Sequence, residues 1–400
     1  KWKYGDCAIL YRTNAQSRMF EEKFLYANVP YKIVGGVNFY SRKEIKDVIA
    51  YLKTIANGKD DLAVRRIINV PKRGIGATTI SRVQDYAAEH GASFYDALRV
   101  AETIPGIGKS VAKLQAFVQM IQVLRTKQEF YKVKSLIEDI LEQTGYMKEL
   151  QAEGTDEALD RMANVDELLN KAALYDEKTE NPTLDGFLEE VALVADIDNL
   201  EEDADHVVMM TLHSAKGLEF PVVFMVGMED GVFPSYISIS SEDESELEEE
   251  RRLCYVGITR ARTNLFLTSA KQRMVRGEIH YNRVSRFVDD IPEEFMAENE
   301  RAKIPQKEKK DLPETKAHAA YRQMRENFKT KIMAQQQFEV KKADGLSYNV
   351  GDRVRHIKFG NGTVTNIAEG GRDYEVTVNF DRVGVKKMFA SFAKLVKTEN

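Results

Sequence analysis

The densest run of chemically able side chains extends from Glu248 to Arg262, Glu-Glu-Glu-Arg-Arg-Leu-Cys-Tyr-Val-Gly-Ile-Thr-Arg-Ala-Arg, just ahead of the apolar Leu265-Phe266-Leu267. Acids at a helix start and arginines at its end both suit the helix dipole, so charge order alone describes a surface helix as well as a binding one. Arg260 has a second possible use. A guanidinium at a domain edge can reach a nucleotide on a neighbouring body and stabilise charge on a transferring phosphoryl group. Tyr255, one turn earlier, reads equally as a half-buried packing tyrosine. In Thr211-Leu212-His213-Ser214-Ala215-Lys216-Gly217-Leu218-Glu219-Phe220, Gly217 frees the backbone. Glu219 can then accept hydrogen bonds from a ribose hydroxyl or stand near magnesium. His213 also fits a hydrogen-bonded strand-end histidine, and Lys216 a solvated lysine.

Three further strings have the residue types for phosphate contact. Tyr11-Arg12-Thr13-Asn14-Ala15-Gln16-Ser17-Arg18 directly follows a strand-like run, where open α/β sheets place ligands, so Arg12 and Asn14 are candidate contacts to nucleic acid or nucleotide. In Pro71-Lys72-Arg73-Gly74-Ile75-Gly76-Ala77-Thr78-Thr79, the glycines let backbone amides approach a phosphate ahead of a helix N-terminus; a tight interhelical turn explains the same residues equally well. Pro105-Gly106-Ile107-Gly108-Lys109-Ser110 fails as a nucleotide phosphate loop, because that pattern needs a glycine where Thr103 stands.

The elements that must position these residues follow from periodicity. Cys7 to Tyr11 is an apolar run, Ala15 to Ala27 has helical spacing and Tyr31 to Val34 is strand-like, giving a strand–helix–strand opening. From about residue 57 to 199 the texture is amphipathic helix, including Ile80–Ala88, Ser110–Leu124, Lys134–Leu150 and Leu159–Tyr175. Strand-like runs return at Val207–Leu212, Val222–Val226 and Leu265–Thr268, restoring the alternation of a parallel α/β sheet. After Ile291 the composition turns polar and reads as a linker, whereas from Tyr348 onward glycine turns and alternation at Tyr374–Phe380 predict a small antiparallel barrel of about five strands. Phe359, Tyr374 and Phe380 form either its core or an exposed aromatic surface.

The strings at 211–220 and 248–262 together resemble two motifs of the UvrD/Rep/PcrA group of superfamily 1 DNA helicases. Those at 11–18, 71–79 and Gly35-Gly36-Val37-Asn38-Phe39-Tyr40-Ser41-Arg42-Lys43-Glu44 are similar to further segments of that group. The likeness covers roughly residues 1–295, and the final barrel resembles the Tudor-like C-terminal domain of PcrA-type members. The resemblance implies a RecA-like parallel-sheet motor domain in two parts, 1–56 and 200–295, split by an inserted all-α domain at 57–199. A flexible linker at 296–345 and a small all-β Tudor/SH3-like barrel at 346–400 would follow.

The resemblance also implies roles. Arg260 would be the arginine finger and, with Glu219, would touch the nucleotide. Arg12, Asn14, Thr211 and His213 would contact DNA, and Gly74, Gly76 and Thr78 would meet the duplex backbone independently of base sequence. ATP and Mg2+ would be shared with an N-terminal motor domain. The implied partners are single-stranded DNA, single-to-double-strand junctions and, for the barrel, RNA polymerase. Two positions depart from the group: Ser235 stands where some members carry a DNA-facing histidine, and Arg276 where some carry a base-stacking aromatic, although an arginine plane also stacks on bases.

Composition sets the remaining bounds. At 400 residues, 43% hydrophobic and 30% charged, the chain is globular and long enough for two to four domains at about 100–200 residues each. A net charge of −5 excludes a uniformly basic coat but permits a local basic groove. No apolar run approaches the roughly 20 residues that span a bilayer, so no membrane is expected and the cytoplasm is the default compartment. Cys7 and Cys254 have no metal-ligand spacing and read as reduced packing residues, with no metal site expected. No G-x-x-x-x-G-K-[S/T] string occurs. The sequence therefore reads as the second half of an ATP-dependent 3′-to-5′ helicase of DNA repair or replication, inactive by itself as an ATPase. The alternatives are the helicase half of a recombination helicase–nuclease, disfavoured by the barrel where a nuclease would follow, and a non-enzymatic protein-binding module.

Overall fold

The computed structural model describes residues 2–197, 205–296, 346–356, 359–369, 374–381, 383–393 and 395–398. Of the linker expected at 296–345, everything from 297 onward lies outside the described residues. The contacts divide the chain into two compact units, one from Lys1–Lys46, Leu150–Leu174 and Glu189–Ala334, the other from Asp47–Glu149, Tyr175–Leu188 and Gln335–Asn400.

In the first unit, β1 (Cys7–Tyr11), β2 (Tyr31–Ile33), β3 (Val207–Thr211), β4 (Phe220–Val226) and β5 (Ala261–Thr268) form a sheet in the order β2-β3-β1-β4-β5. All four pairings are parallel, with Ala8 opposite Val208 on one side and opposite Val223 on the other. The central strands are covered on both faces and so read as unbroken apolar runs. One face holds Leu10, Met210, Leu212, Val223, Met225 and Cys254; the other holds Ile9, Tyr11, Met209 and Val226. α1 (Ser17–Ala27) links β1 to β2 and ends at Asn28 in the left-handed conformation, φ 55°.

Between β2 and β3 the chain runs through α2 (Lys43–Ala56), α3 (Asp61–Ile67), α4 (Ala77–Glu89), α5 (Phe94–Arg99), α6 (Val111–Lys127), α7 (Val133–Thr144), α8 (Tyr146–Glu153), α9 (Asp156–Lys178) and α10 (Leu184–Ile197). The helix expected over Lys134–Leu150 is thus two, because Gly145 ends α7 at φ 70°. Residues 150–174 and those from 189 group with the sheet, and an ionic lattice ties them in, with Lys171 joining Glu22 at 3.4 Å to Glu190 at 2.5 Å. Arg18 binds Glu22 and Glu167, each at 3.0 Å, while Arg42 reaches Ser17 at 2.7 Å and Asn164 at 2.6 Å.

α11 (Tyr236–Ser240) and α12 (Glu244–Ile258) connect β4 to β5. α12 lies close on the sheet: a Cβ at Gly257 would stand 2.5 Å from Leu212 Cδ2 and 2.8 Å from Met225 Cε. The hairpin β6 (Arg273–Val275) and β7 (Glu278–His280) and then α13 (Arg286–Asp289) follow.

In the second unit, β8 (Arg353–His356), β9 (Gly360–Glu369), β10 (Tyr374–Phe380), β11 (Gly384–Phe389), α14 (Ala390–Ala393) and β12 (Val396–Lys397) make an antiparallel five-stranded sheet ordered β11-β10-β9-β8-β12. Phe380 is buried at its core with the partly buried Phe359 and Tyr374 packed against it, so of the two readings the core one describes Phe380 and the inner sides of the other two rings. Among the described residues no helix is long and apolar enough to cross a membrane.

Candidate functional site at the two edges of the parallel sheet

Strand direction sorts the candidate residues into two groups. Arg12 and Asn14 follow the end of β1, and Thr211 and His213 close and follow β3; all four stand at the carboxyl edge of the sheet. Glu219 and Arg260 immediately precede β4 and β5 at the opposite edge. β4, from Phe220 to Val226, separates the edges by about 20 Å at 3.3 Å per residue.

At the carboxyl edge the Arg12 guanidinium is held by Glu250 of α12, its Nε at 2.8 Å and Nη2 at 2.6 Å from the same carboxylate oxygen. The other Glu250 oxygen accepts the Ser235 amide at 3.3 Å. Gln16 accepts from the Arg12 and Thr13 amides at 2.9 and 3.0 Å, which fixes the turn carrying both Arg12 and Asn14. Asn14 hydrogen-bonds the Asp160 carboxylate. It lines a pocket of 270 Å³ with Gly36, Arg42, Asp160, Arg161 and Asn164. Burial pushes the Asp160 carboxyl up, opposed by Arg12 and Arg42.

His213 is exposed, yet partial desolvation and then the Arg12 charge hold its imidazole below the ordinary value, so at neutral pH it is an uncharged hydrogen-bonding group. The Thr211 hydroxyl lies 3.0 Å from Ser214 Oγ and accepts the Ser214 amide at 3.2 Å, so it shapes the turn that leads to Gly217. Glu229 anchors the loop after β4. Fully buried, it accepts from Ala270 N at 2.8 Å, Arg273 Nε at 3.0 Å, Arg273 Nη2 at 2.7 Å and Asn282 at 3.3 Å. Burial raises its carboxyl, and Arg273 with the Ala270 amide outweighs that, leaving it below the carboxylate range.

Of the two departing positions, Ser235 caps α11 by accepting the Ser238 amide at 3.1 Å. Arg276 sits at the hairpin tip with φ 53°, its Nε 2.9 Å from Asp166. Asn170 clamps that tip through its main chain, donating to Met274 O at 3.1 Å and accepting from Gly277 N at 2.9 Å.

At the opposite edge Arg260 donates to Val256 O at 2.8 Å, Leu218 O at 3.0 Å and Thr259 Oγ1 at 2.9 Å. All three acceptors are neutral, and among the described residues it forms no ion pair, so its charge remains available to an anion. The Arg260 carbonyl accepts the Phe220 amide at 2.9 Å, placing it beside Glu219. Glu219 pairs with Arg262 at 3.0 Å, both more than half exposed. Arg262 and Glu250 both lie within the 248–262 string, but their partners are 43 and 238 residues away, so spacing gave no sign of either pairing. α12 links the two edges: Glu250 lies within it, its last residue Ile258 stands about 12 Å further along the axis at 1.5 Å per residue, and Arg260 follows two residues beyond that end.

The third group belongs to the second unit. Gly74 has φ 66° and its carbonyl accepts from Lys113 Nζ at 2.9 Å; Gly76 caps α4, and Thr78 lies exposed in the first turn. Arg73 instead grips the Tyr51 hydroxyl and the carbonyls of Ile67, Ile68, Val70 and Pro71, whereas Lys113 reaches the glycine loop at Gly74 and Lys72 lies exposed within it. Among the described residues no three His, Cys, Asp or Glu side chains gather to hold a metal ion.

The family model for the UvrD-like helicase C-terminal domain matches residues 1–272. The chain belongs to this helicase family. The PcrA/UvrD Tudor domain model matches residues 350–397, the antiparallel sheet of the second unit. The UvrD-like chain is 42% identical over 401 residues to the ATP-dependent DNA helicase PcrA of Staphylococcus aureus strain Mu50, covering 100% of this chain and 53% of that protein. It is 44% identical over 404 residues to the ATP-dependent DNA helicase PcrA of Bacillus subtilis strain 168, covering 99% and 53%. It thus spans about half the length of the curated relatives it matches. Within the UvrD-like match, the parallel sheet agrees with a RecA-like domain.

Proposed function

We propose that this chain is the C-terminal portion of an ATP-dependent DNA helicase that moves 3′ to 5′ on single strands and opens single-to-double-strand junctions. The observation that carries the reading is the division of charge on one sheet: Arg260 with neutral partners beside Glu219 at one edge, Arg12 with Asn14 and His213 at the other. The first edge has a guanidinium and a carboxylate suited to a triphosphate and a ribose, with Arg260 as arginine finger. The second has hydrogen-bonding groups suited to a phosphate backbone. ATP and Mg2+ are then held jointly with an N-terminal motor domain that supplies the phosphate loop and the metal-binding carboxylate. Residues 57–199 are proposed as an inserted helical domain, whose Gly74, Gly76 and Thr78 loop meets the duplex, and 296–345 as a flexible linker.

In the full-length protein, Arg260→Ala is expected to lower ATP turnover at least about a hundredfold with little change in nucleotide affinity. A fall of less than tenfold refutes the finger. This chain alone is expected to hydrolyse no ATP, with or without single-stranded DNA, and measurable hydrolysis overturns that expectation. For the antiparallel sheet we propose a protein-binding role with RNA polymerase as partner, supported by Lys386 and Lys387 exposed on the edge strand β11. Pull-down that survives deletion of residues 346–400 rejects it.

A further inference from the structure

We propose that Glu250 is a positioning residue for Arg12, fixing one side of the guanidinium so that the other is presented to a phosphate oxygen of a nucleic-acid backbone. The inference rests on the reading of Arg12 as a nucleic-acid contact.

Arginine binds oxyanions best through two parallel N–H groups, and a free side chain loses rotamer freedom in forming that fork. Here the freedom is already lost. Nε and Nη2 both point at Glu250 Oε1, at 2.8 and 2.6 Å, while the backbone beneath is held by Gln16 at 2.9 Å. Glu250 is itself constrained: its side chain is 6% exposed, and Oε2 takes the Ser235 amide. The carboxylate therefore cannot swing into water and release the arginine. Nη1 makes no hydrogen bond among the described residues, and the Arg12 side chain keeps 25% of its surface open. Asn14 stands on the same pinned turn, and His213 is close enough for the Arg12 charge to depress its imidazole. This open side of the fork is the one a phosphate would meet.

A purely structural ion pair and a positioning role predict different responses. Ordering one long side chain in advance is worth about a tenfold gain in affinity. The experiment measures binding of this chain to a fluorescein-labelled oligothymidylate by anisotropy at fixed salt, for Glu250→Ala, Glu250→Gln, Arg12→Ala and the double variant Arg12→Ala/Glu250→Ala, with circular dichroism melts to establish folding. Glu250→Ala is expected to weaken binding about tenfold. Glu250→Gln, which keeps an acceptor for the guanidinium, should recover most of the loss, and Glu250→Ala should have no further effect once Arg12 is alanine. If the parent binds and Glu250→Ala changes nothing, or the loss is as large in the Arg12→Ala background, the positioning role is wrong while the nucleic-acid reading stands. If Glu250→Ala fails to fold, Glu250→Gln decides: a loss in it equal to that of Arg12→Ala overturns the role, because the retained acceptor should have preserved the orientation. Absence of binding by the folded parent sinks the nucleic-acid reading, and this inference with it.

Discussion

Replacing Glu229 by alanine should be among the most destabilising single changes in the sheet-bearing unit. The carboxylate is 0% exposed and accepts four hydrogen bonds, from the Ala270 amide, two Arg273 nitrogens and Asn282. Removing it orphans a backbone donor, which costs about 1–3 kcal/mol. It also strips Arg273 of its counter-charge. Breaking a fully buried pair costs about 3–5 kcal/mol, but the Arg273 side chain is 31% exposed and can turn into water, so the upper range does not apply. Together these give about 3 kcal/mol, or a melting temperature about 6–12 °C lower for a unit of this size. Differential scanning calorimetry of parent and variant at pH 7 measures it. The pH dependence supplies a second arm. Because the folded-state carboxyl is held below its ordinary 4.5, Glu229 contributes stability that is present above that value and is lost as pH falls through the folded pKa. The gap between parent and variant should therefore narrow as pH falls below 4.5 and through the lower folded-state value. A difference under 1 kcal/mol at pH 7, or one that does not narrow in acid, refutes the account.

Three other outcomes follow from local geometry. Gly257→Ala adds a methyl 2.5 Å from Leu212 Cδ2 and 2.8 Å from Met225 Cε; overpacking of about 1–3 kcal/mol should exceed the gain of about 1 kcal/mol in helix propensity, and a more stable variant in urea denaturation refutes it. Gly145→Ala places a side chain at φ 70° in open space, so the conformational penalty of about 1–2 kcal/mol should appear in the melting temperature without any packing change, and unaltered stability counts against the cap. By NMR, the His213 imidazole should titrate below 6.5, so that the proton favours the unfolded chain and stability is lost as pH falls below that value; Arg12→Ala should raise this pKa, and an unchanged titration removes Arg12 as a cause.

Much of the sheet was legible because its central strands are buried on both faces: Cys7–Tyr11, Val207–Thr211 and Phe220–Val226 are apolar nearly throughout. β5 begins earlier than its apolar stretch suggests. As an edge strand it leaves Arg262, Thr263 and Asn264 exposed, so half of it carries no hydrophobic signal. The β6–β7 hairpin went unread because its strands are three residues each and its turn, Arg276-Gly277, puts an arginine where asparagine is the usual cue. The candidate site residues were readable as strings, but their sorting was not. That Arg12 stands beside His213, and Glu219 beside Arg260, depends on strand order, with β1 next to β3 and β4 next to β5, and no local pattern encodes that.

The grip of Asn170 on the hairpin tip is made wholly to peptide atoms, the Met274 carbonyl and the Gly277 amide. This part of the docking does not depend on the side chain at 276, which adds its own pair with Asp166. Because the hairpin is also held through its own main chain, the group displayed at 276 answers only to Asp166 and to the left-handed backbone beneath it, which makes the tip a place where recognition chemistry can be grafted while the hairpin keeps its seat.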